Sequence, residues 1–347
     1  MHDYFLSLIR GDKRGPLAIL QRFGLFLLSL GYGLAVRVRN NLFDRGWKTS
    51  HKSSIPVVSV GNLTVGGTGK TPCVEYLARW FRERDYRVTL ISRGYGSEQG
   101  RNDEAMVLEE NLPDVPHLQG ADRVEMARIA VEELESELIV LDDGFQHRRL
   151  ARNLDIVLID CTNPWGYGHL LPRGLLREPL SGLRRAGIVL LTRADLVDEE
   201  SRERIRTRVK RFSEKIPIVL STHKPVHLVD ADNEVTELSL LRTTPVAGFC
   251  GIGNPTAFRQ TLEELGANIV DFREFPDHHQ YTQTDIEDLR GWARRQATEC
   301  VLVTTQKDLV KIRLTRLGDR KLWALHIRLH LTEGQDLLDR SLEDAIS

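Results

Sequence analysis

Residues 60–72 read VGNLTVGGTGKTP, with four glycines, a lysine and flanking threonines in one short stretch. Gly66, Gly67 and Gly69 let backbone N–H groups approach an anion, and Lys70 adds a mobile positive charge. The pattern is GxxxxGK[ST] with Thr64 at the first glycine position. The candidate nucleotide-binding segment is therefore Thr64, Val65, Gly66, Gly67, Thr68, Gly69, Lys70 and Thr71. Lys70 would reach the β- and γ-phosphates of a nucleoside triphosphate, and the Thr71 hydroxyl would ligate Mg²⁺. A second stretch, LIVLDDGFQHR at 138–148, runs four apolar residues into Asp142 and Asp143. Carboxylates at the end of a buried strand beside a phosphate loop can hold Mg²⁺ directly or through water.

Nucleotide binding alone suits hydrolases, switches and kinases equally. LTRADLV (191–197) resembles the guanine-reading TKxD element of GTPases, with Asp195 in the base-reading place. The same residues also suit a turn with a helix cap. This leaves a P-loop GTPase acting as a switch or metallochaperone as the alternative reading. Other unusual segments need a substrate: SRGYGS (92–97), RNDEAMVL (101–108) with Asp103 and Glu104 in a polar turn, the long loop GYGHLLPRGLLREP (166–179), and FPDHHQYT (275–282).

Elements must hold these residues in place. The strand candidates are 55–60, 86–92, 138–143, 154–160, 187–192 and 216–220, all short and apolar. The helical pattern at 71–85 puts Val74, Leu77, Ala78 and Phe81 on one face, and 122–134 does the same with Val124, Ala127 and Val131. Such alternation predicts a parallel sheet covered on both faces. After a polar stretch at 230–238 a second βα series begins with PVAGFCGIGNP (245–255), followed by a helix at 256–266, 267–272, a helix at 284–296, 300–305 and 322–329. The reading is α/β: a P-loop NTPase-like parallel-sheet lobe at 53–235 and a second, smaller α/β lobe at 236–347.

The first 52 residues are different in kind. They carry nine Lys/Arg against three Asp/Glu, and residues 23–36 form an uncharged apolar run of 14. A spanning helix needs about 20 apolar residues, so a helix lying on or dipping into one leaflet is expected. Arg37, Arg39, Arg45, Lys48 and Lys52 would face anionic headgroups. The net charge of −1 gives no sign of a nucleic-acid partner. Four scattered cysteines with no CxxC pair argue against a disulfide framework or a zinc site.

In order along the chain, GNLTVGGTGKTP, SRGYG, Asp103-Glu104, LDDGFQHR, LLPRGLLREP, GIGNP (251–255), FPDHH and TTQKD (304–308) resemble the tetraacyldisaccharide 4′-kinase family. The resemblance implies transfer of the γ-phosphate of ATP to the 4′-hydroxyl of tetraacyl glucosamine disaccharide 1-phosphate, a lipid A precursor. It implies work at the cytoplasmic face of the inner membrane, with no obligate protein partner evident. It further implies Asp103 as the base paired with His278 (His279 being the alternative), and Lys70 with Mg²⁺ neutralising the transferred phosphoryl group. Glu104, Asp142 and Asp143 would arrange the metal and its waters, and Arg123 and Arg177 would be cations near phosphate groups. A base divided between lobes would need closure before the pair forms. The chain departs from the family at Asn102-Asp103-Glu104-Ala105, where Gly-Asp-Glu-Pro is common, and at Gln306, where a glutamate is usual.

Overall fold

A computed structural model describes residues 2–94 and 103–347. Two helices come first, α1 (His2–Arg10) and α2 (Pro16–Asp44). The alternating region then runs β1 (Val57–Asn62), α3 (Lys70–Arg82), β2 (Val88–Ser92), α4 (Asp103–Asn111), β3 (His117–Gln119), α5 (Arg123–Glu132) and β4 (Leu138–Asp142). It continues with β5 (Leu154–Asp160), β6 (Ile188–Thr192), α6 (Glu199–Lys210) and β7 (Ile218–Val229). Next come β8 (Val235–Thr236), α7 (Leu240–Thr243), β9 (Pro245–Cys250), α8 (Pro255–Glu264), β10 (Asn268–Glu274) and α9 (Gln283–Arg295). The chain ends with β11 (Val301–Thr305), α10 (Gln306–Ile312), β12 (Arg316–Leu317), β13 (Arg320–Glu333) and α11 (Gln335–Ile346).

Contacts gather these elements into two units, Met1–Arg93 with Asp114–Thr222 and Leu329–Ser347, and Gly94–Pro113 with His223–Arg328. The units are not the contiguous blocks that a cut at 235 describes. Helix α4 belongs to the second unit because Met106 and Val107 bury themselves against Val310 of α10. Helix α11 belongs to the first, where Leu338 and Leu342 are buried and Asp339 accepts a 2.8 Å hydrogen bond from Trp80 Nε1.

In the first unit the strands lie in the order β7-β6-β5-β1-β4-β2-β3, all parallel. Every residue of β1, β2, β4 and β6 is buried, as near-continuous apolar runs require in a sheet covered on both faces. Strand β1 lies between β4 and β5, with Val60 level with Asp142 and Asn62 level with Leu158. Parallel register brings the loop after β1 and the acids after β4 to one edge, where α/β sheets bind ligands. Helix α3 buries the predicted face of Val74, Leu77, Ala78 and Phe81.

The second unit carries a further stretch of sheet, β10-β9-β11-β13, again all parallel. One face packs on Ile286, Leu289 and Trp292 of α9, the other on Phe258 and Leu262 of α8.

Helix α2 is longer than the uncharged run 23–36. Pro16 suits the first helical position, and Gln21, Arg22, Arg37 and Arg39 are good helix formers that extend it at both ends. Ala18, Ser29 and Gly33 form a buried stripe, while Leu17, Leu20, Leu28 and Leu34 stay more than 60% exposed. By length and composition the helix could cross a membrane.

Candidate active site

The phosphate loop leaves β1 through Asn62 and enters α3 at Lys70. Gly66 has φ +119, a region glycine alone enters freely, and a side chain on Gly67 would point into open space. Gly69 is the N-cap of α3 in a left-handed conformation, and no described side chain caps the helix. Its first N–H groups are thereby left for an anion. The loop is braced from beneath: Asn62 Nδ2 donates to Thr68 Oγ1 at 2.8 Å, and Thr192 Oγ1 donates to the Thr68 carbonyl at 2.9 Å. Arg193 Nη2 donates to the Gly67 carbonyl at 2.9 Å, while Asp195 is exposed. The residues that suggested base reading thus include two that hold the loop's shape. Val65 N–H donates to the Leu175 carbonyl at 2.8 Å, fastening the loop to the 166–179 segment.

Asp142 and Asp143 end β4 beside this loop. Asp143 has φ +51, a strained position for a non-glycine residue. Its carboxylate accepts two 2.8 Å hydrogen bonds from Arg177 Nη1 and lies 3.5 Å from Lys70 Nζ. Burial raises the Asp143 carboxyl, but Lys70 and Arg177 outweigh it and hold it below the ordinary range. The turn sits close under β1: a side chain on Gly61 would come within 2.5 Å of Phe145 Cβ. Thr71 and Asp142 are both nearly buried. An all-oxygen set of hydroxyl and carboxylate suits Mg²⁺, a hard cation that keeps phosphate and water among its ligands. Among the described residues no group of three His, Cys, Asp or Glu could hold a metal by itself. Such an ion would therefore rely on the nucleotide for further ligands.

Arg123 opens α5, 5% exposed, with Nη1 donating to the Ala121 carbonyl at 3.2 Å. Burial, followed by the charges of Arg123, Arg149 and Arg152, pushes His147 down to about 4. His147 is therefore neutral at physiological pH. Sequence reasoning passed over it, together with Asn62, Gln146 and Glu178. Each sat inside or beside a quoted motif, so the signal was present without a role attached.

In the second unit His278 Nδ1 lies 3.0 Å from Asp103 Oδ2. His279 instead stacks on Phe275 and lies 3.2 Å from Asp285, which caps α9. Because residues 94–113 group with 223–328, the Asp103–His278 pair forms inside one unit and needs no closure between lobes to assemble. Asp103 is the first residue of α4, and His278 has φ +56, a costly conformation for a side chain held in one direction. Lys307 Nζ is 2.7 Å from Glu104 Oε1, and Lys311 Nζ is 4.0 Å from Asp103 Oδ2. Behind them Asp308 has no exposed surface. It accepts from Gly251 N–H at 3.0 Å, Thr305 Oγ1 at 2.6 Å and Tyr281 OH at 3.0 Å, and lies 3.2 Å from Lys311. Residues 95–102, including Tyr95 and Gly96 of SRGYG and Asn102, lie outside the described residues.

Comparison with known proteins gives this geometry a family. A family model described as tetraacyldisaccharide-1-P 4′-kinase matches residues 21–347. The tetraacyldisaccharide 4′-kinase of Anaeromyxobacter sp. (strain K) is 39% identical, covering 97% of this chain and 94% of its own length. That of Syntrophus aciditrophicus is also 39% identical, over 86% of this chain and 85% of its own. The crystal structure of LpxK from Aquifex aeolicus in complex with ATP matches with a TM-score of 0.78 at 30% identity, covering 94% of this chain and 100% of that one. The chain belongs to the tetraacyldisaccharide 4′-kinase family, enzymes that phosphorylate a sugar hydroxyl.

Proposed function

We propose that this chain transfers the γ-phosphate of ATP to the 4′-hydroxyl of tetraacyl glucosamine disaccharide 1-phosphate, at the cytoplasmic face of the inner membrane. The observation that carries the reading is a braced phosphate loop with Lys70, Asp143 and Arg177 clustered beside it, in a chain that also holds a formed Asp103–His278 pair. In this reading residues 64–71 hold the ATP phosphates, and Lys70 moves from Asp143 to the β- and γ-phosphate oxygens. Arg177 and Arg123 supply further positive charge near phosphate groups. Thr71, Asp142 and Asp143 would hold Mg²⁺, with Glu104, tied to Lys307, a candidate for ordering its waters. The metal would neutralise charge on the bridging phosphate oxygens.

Asp103 is the base. A sugar hydroxyl is a poor nucleophile, and a carboxylate that takes its proton as it attacks phosphorus removes the main obstacle. His278 orients that carboxylate by its hydrogen bond to Oδ2. The exposed apolar face of α2, with basic residues in the same N-terminal segment, would rest at the membrane where the acceptor resides.

The test is a transfer assay with ATP and Mg²⁺, with and without the tetraacyl disaccharide 1-phosphate. The expected result is a 4′-phosphorylated lipid formed only when both substrates are present. Nucleotide hydrolysis without lipid product, above all from GTP, would overturn the reading in favour of a switch.

A further inference from the structure

Glu178 lies at the end of LLPRGLLREP, only 1% exposed, and has no place in the reaction as proposed. Three partners from separate parts of the first unit nevertheless converge around it with four hydrogen bonds. Arg185 Nη2 donates to both carboxylate oxygens at 3.0 and 2.8 Å, Gln146 Nε2 donates to Oε1 at 2.9 Å, and Asn40 Nδ2 of α2 donates to Oε2 at 3.3 Å. A buried charge is retained only where such donors satisfy it. The Gln146 amide also donates to the Asn62 carbonyl at 2.8 Å, and Asn62 Nδ2 holds Thr68 in the phosphate loop. Hydrogen bonds thus run unbroken from Asn40 of α2 through Glu178, Gln146 and Asn62 to Thr68.

A second line starts from the same helix. Tyr32 OH donates to the Arg177 carbonyl at 2.7 Å, and the Arg177 guanidinium holds Asp143, the partner of Lys70. Arg177 N–H donates to the Leu63 carbonyl at 2.7 Å, just ahead of the loop. Both lines begin on half-buried residues of α2, about two turns apart, and both end on groups that would touch phosphate.

We propose that Glu178 is a positioning residue through which the seating of helix α2 sets the shape of the phosphate loop, and with it the affinity for ATP. This rests on the reading that residues 64–71 hold ATP. It goes beyond that reading by giving the apolar N-terminal helix a part in nucleotide binding as well as in membrane attachment.

The test uses the full chain in detergent micelles, carrying Tyr32→Phe and Asn40→Ala together. Both changes remove bonds at the helix side and leave the loop untouched. The expected result is a KM for ATP raised about tenfold, with the KM for the acceptor lipid and kcat unchanged. Glu178→Gln, which keeps the side-chain shape but not the charge, should raise the ATP KM in the same way. An unchanged ATP KM in the folded double variant overturns the proposal, and so does an equal rise for both substrates, which would mark general loosening. Lys70→Ala separates the two readings. If it leaves ATP affinity intact, the loop itself was misread; if it abolishes affinity while the α2 variants bind normally, only the role of Glu178 falls.

Discussion

Asp103 is under opposing influences. Burial raises its carboxyl, but the hydrogen bond from His278 and the charges of Lys307 and Lys311 outweigh it and bring the group below the ordinary range. His278 moves the other way, chiefly because Asp103 accepts its hydrogen bond, to a value above the usual 6.5. Across the neutral range the carboxylate is therefore always ionised, and the imidazole is the group that titrates. A protonated His278 holds Asp103 too firmly for it to take a proton, so kcat/KM should rise with pH through an inflection above 6.5. In His278→Ala that limb should vanish between about pH 5.5 and 8, because nothing else in the pair titrates there. A limb that persists unchanged would assign it to another group. Asp103→Ala should lower kcat by about 10²–10⁴-fold with the KM for ATP unaltered, the usual contribution of a positioned base. The two segments stood out in the sequence by their polar composition, and the pairing of Asp103 with His278 was implied by the family resemblance. Glu178 did not stand out, since its importance lies in which distant donors converge on it, and no local spacing records that.

At the scale of elements, α2 and α10 carry separate burdens. The outward face of α2 presents Leu20, Leu27 and Leu34 at heptad spacing, 66%, 51% and 62% exposed. Replacing these three with glutamine should release the protein from anionic vesicles in a co-sedimentation assay. ATP binding should be kept, because the inward residues Tyr32 and Asn40 are untouched. Deleting residues 1–40 is a poorer experiment, since it removes both lines of hydrogen bonds as well as the apolar face. Helix α10 is fixed by Asp308. Asp308→Ala would leave Lys311, 5% exposed, beside Tyr281 without its nearest carboxylate. Breaking a buried pair in this way costs about 3–5 kcal/mol, which corresponds to a melting temperature lower by about 10 °C. Asp308→Asn should lose less, because an amide oxygen in the place of Oδ2 still accepts from Gly251 N–H and Thr305 Oγ1. Sequence patterning found the β-branched strands of both units, whose apolar runs are long and bounded by turns. It missed α10 because TTQKD was read as a motif, although Thr305 accepting from Asp308 N–H is an ordinary helix start.

For the whole molecule, the chain order misleads where the contacts do not. Residues 94–113 lie between two strands of the first unit yet group with the second, so a cut at 235 separates Asp103 from the residues it groups with. The grouping by contacts bears on function. Lys70, Thr71, Asp142, Asp143 and Arg177 all belong to the first unit, and Asp103, His278, Lys307 and Lys311 to the second. Lys70 and Arg177 are tied to Asp143 within the first unit, and His278 and Lys311 to Asp103 within the second, so damage to one set should leave the other's ground state intact. In free enzyme Lys70→Ala should abolish ATP binding by calorimetry, while the His278 imidazole, followed by NMR, still titrates above 6.5. Asp103→Ala should do the converse. The calorimetric affinity for ATP stays, and the His278 titration falls, because its main stabilising acceptor is gone while burial and Lys307 still disfavour the charged ring. A His278 titration that moved in Lys70→Ala would show that the two sets are coupled before substrate arrives, and independence would have to be abandoned.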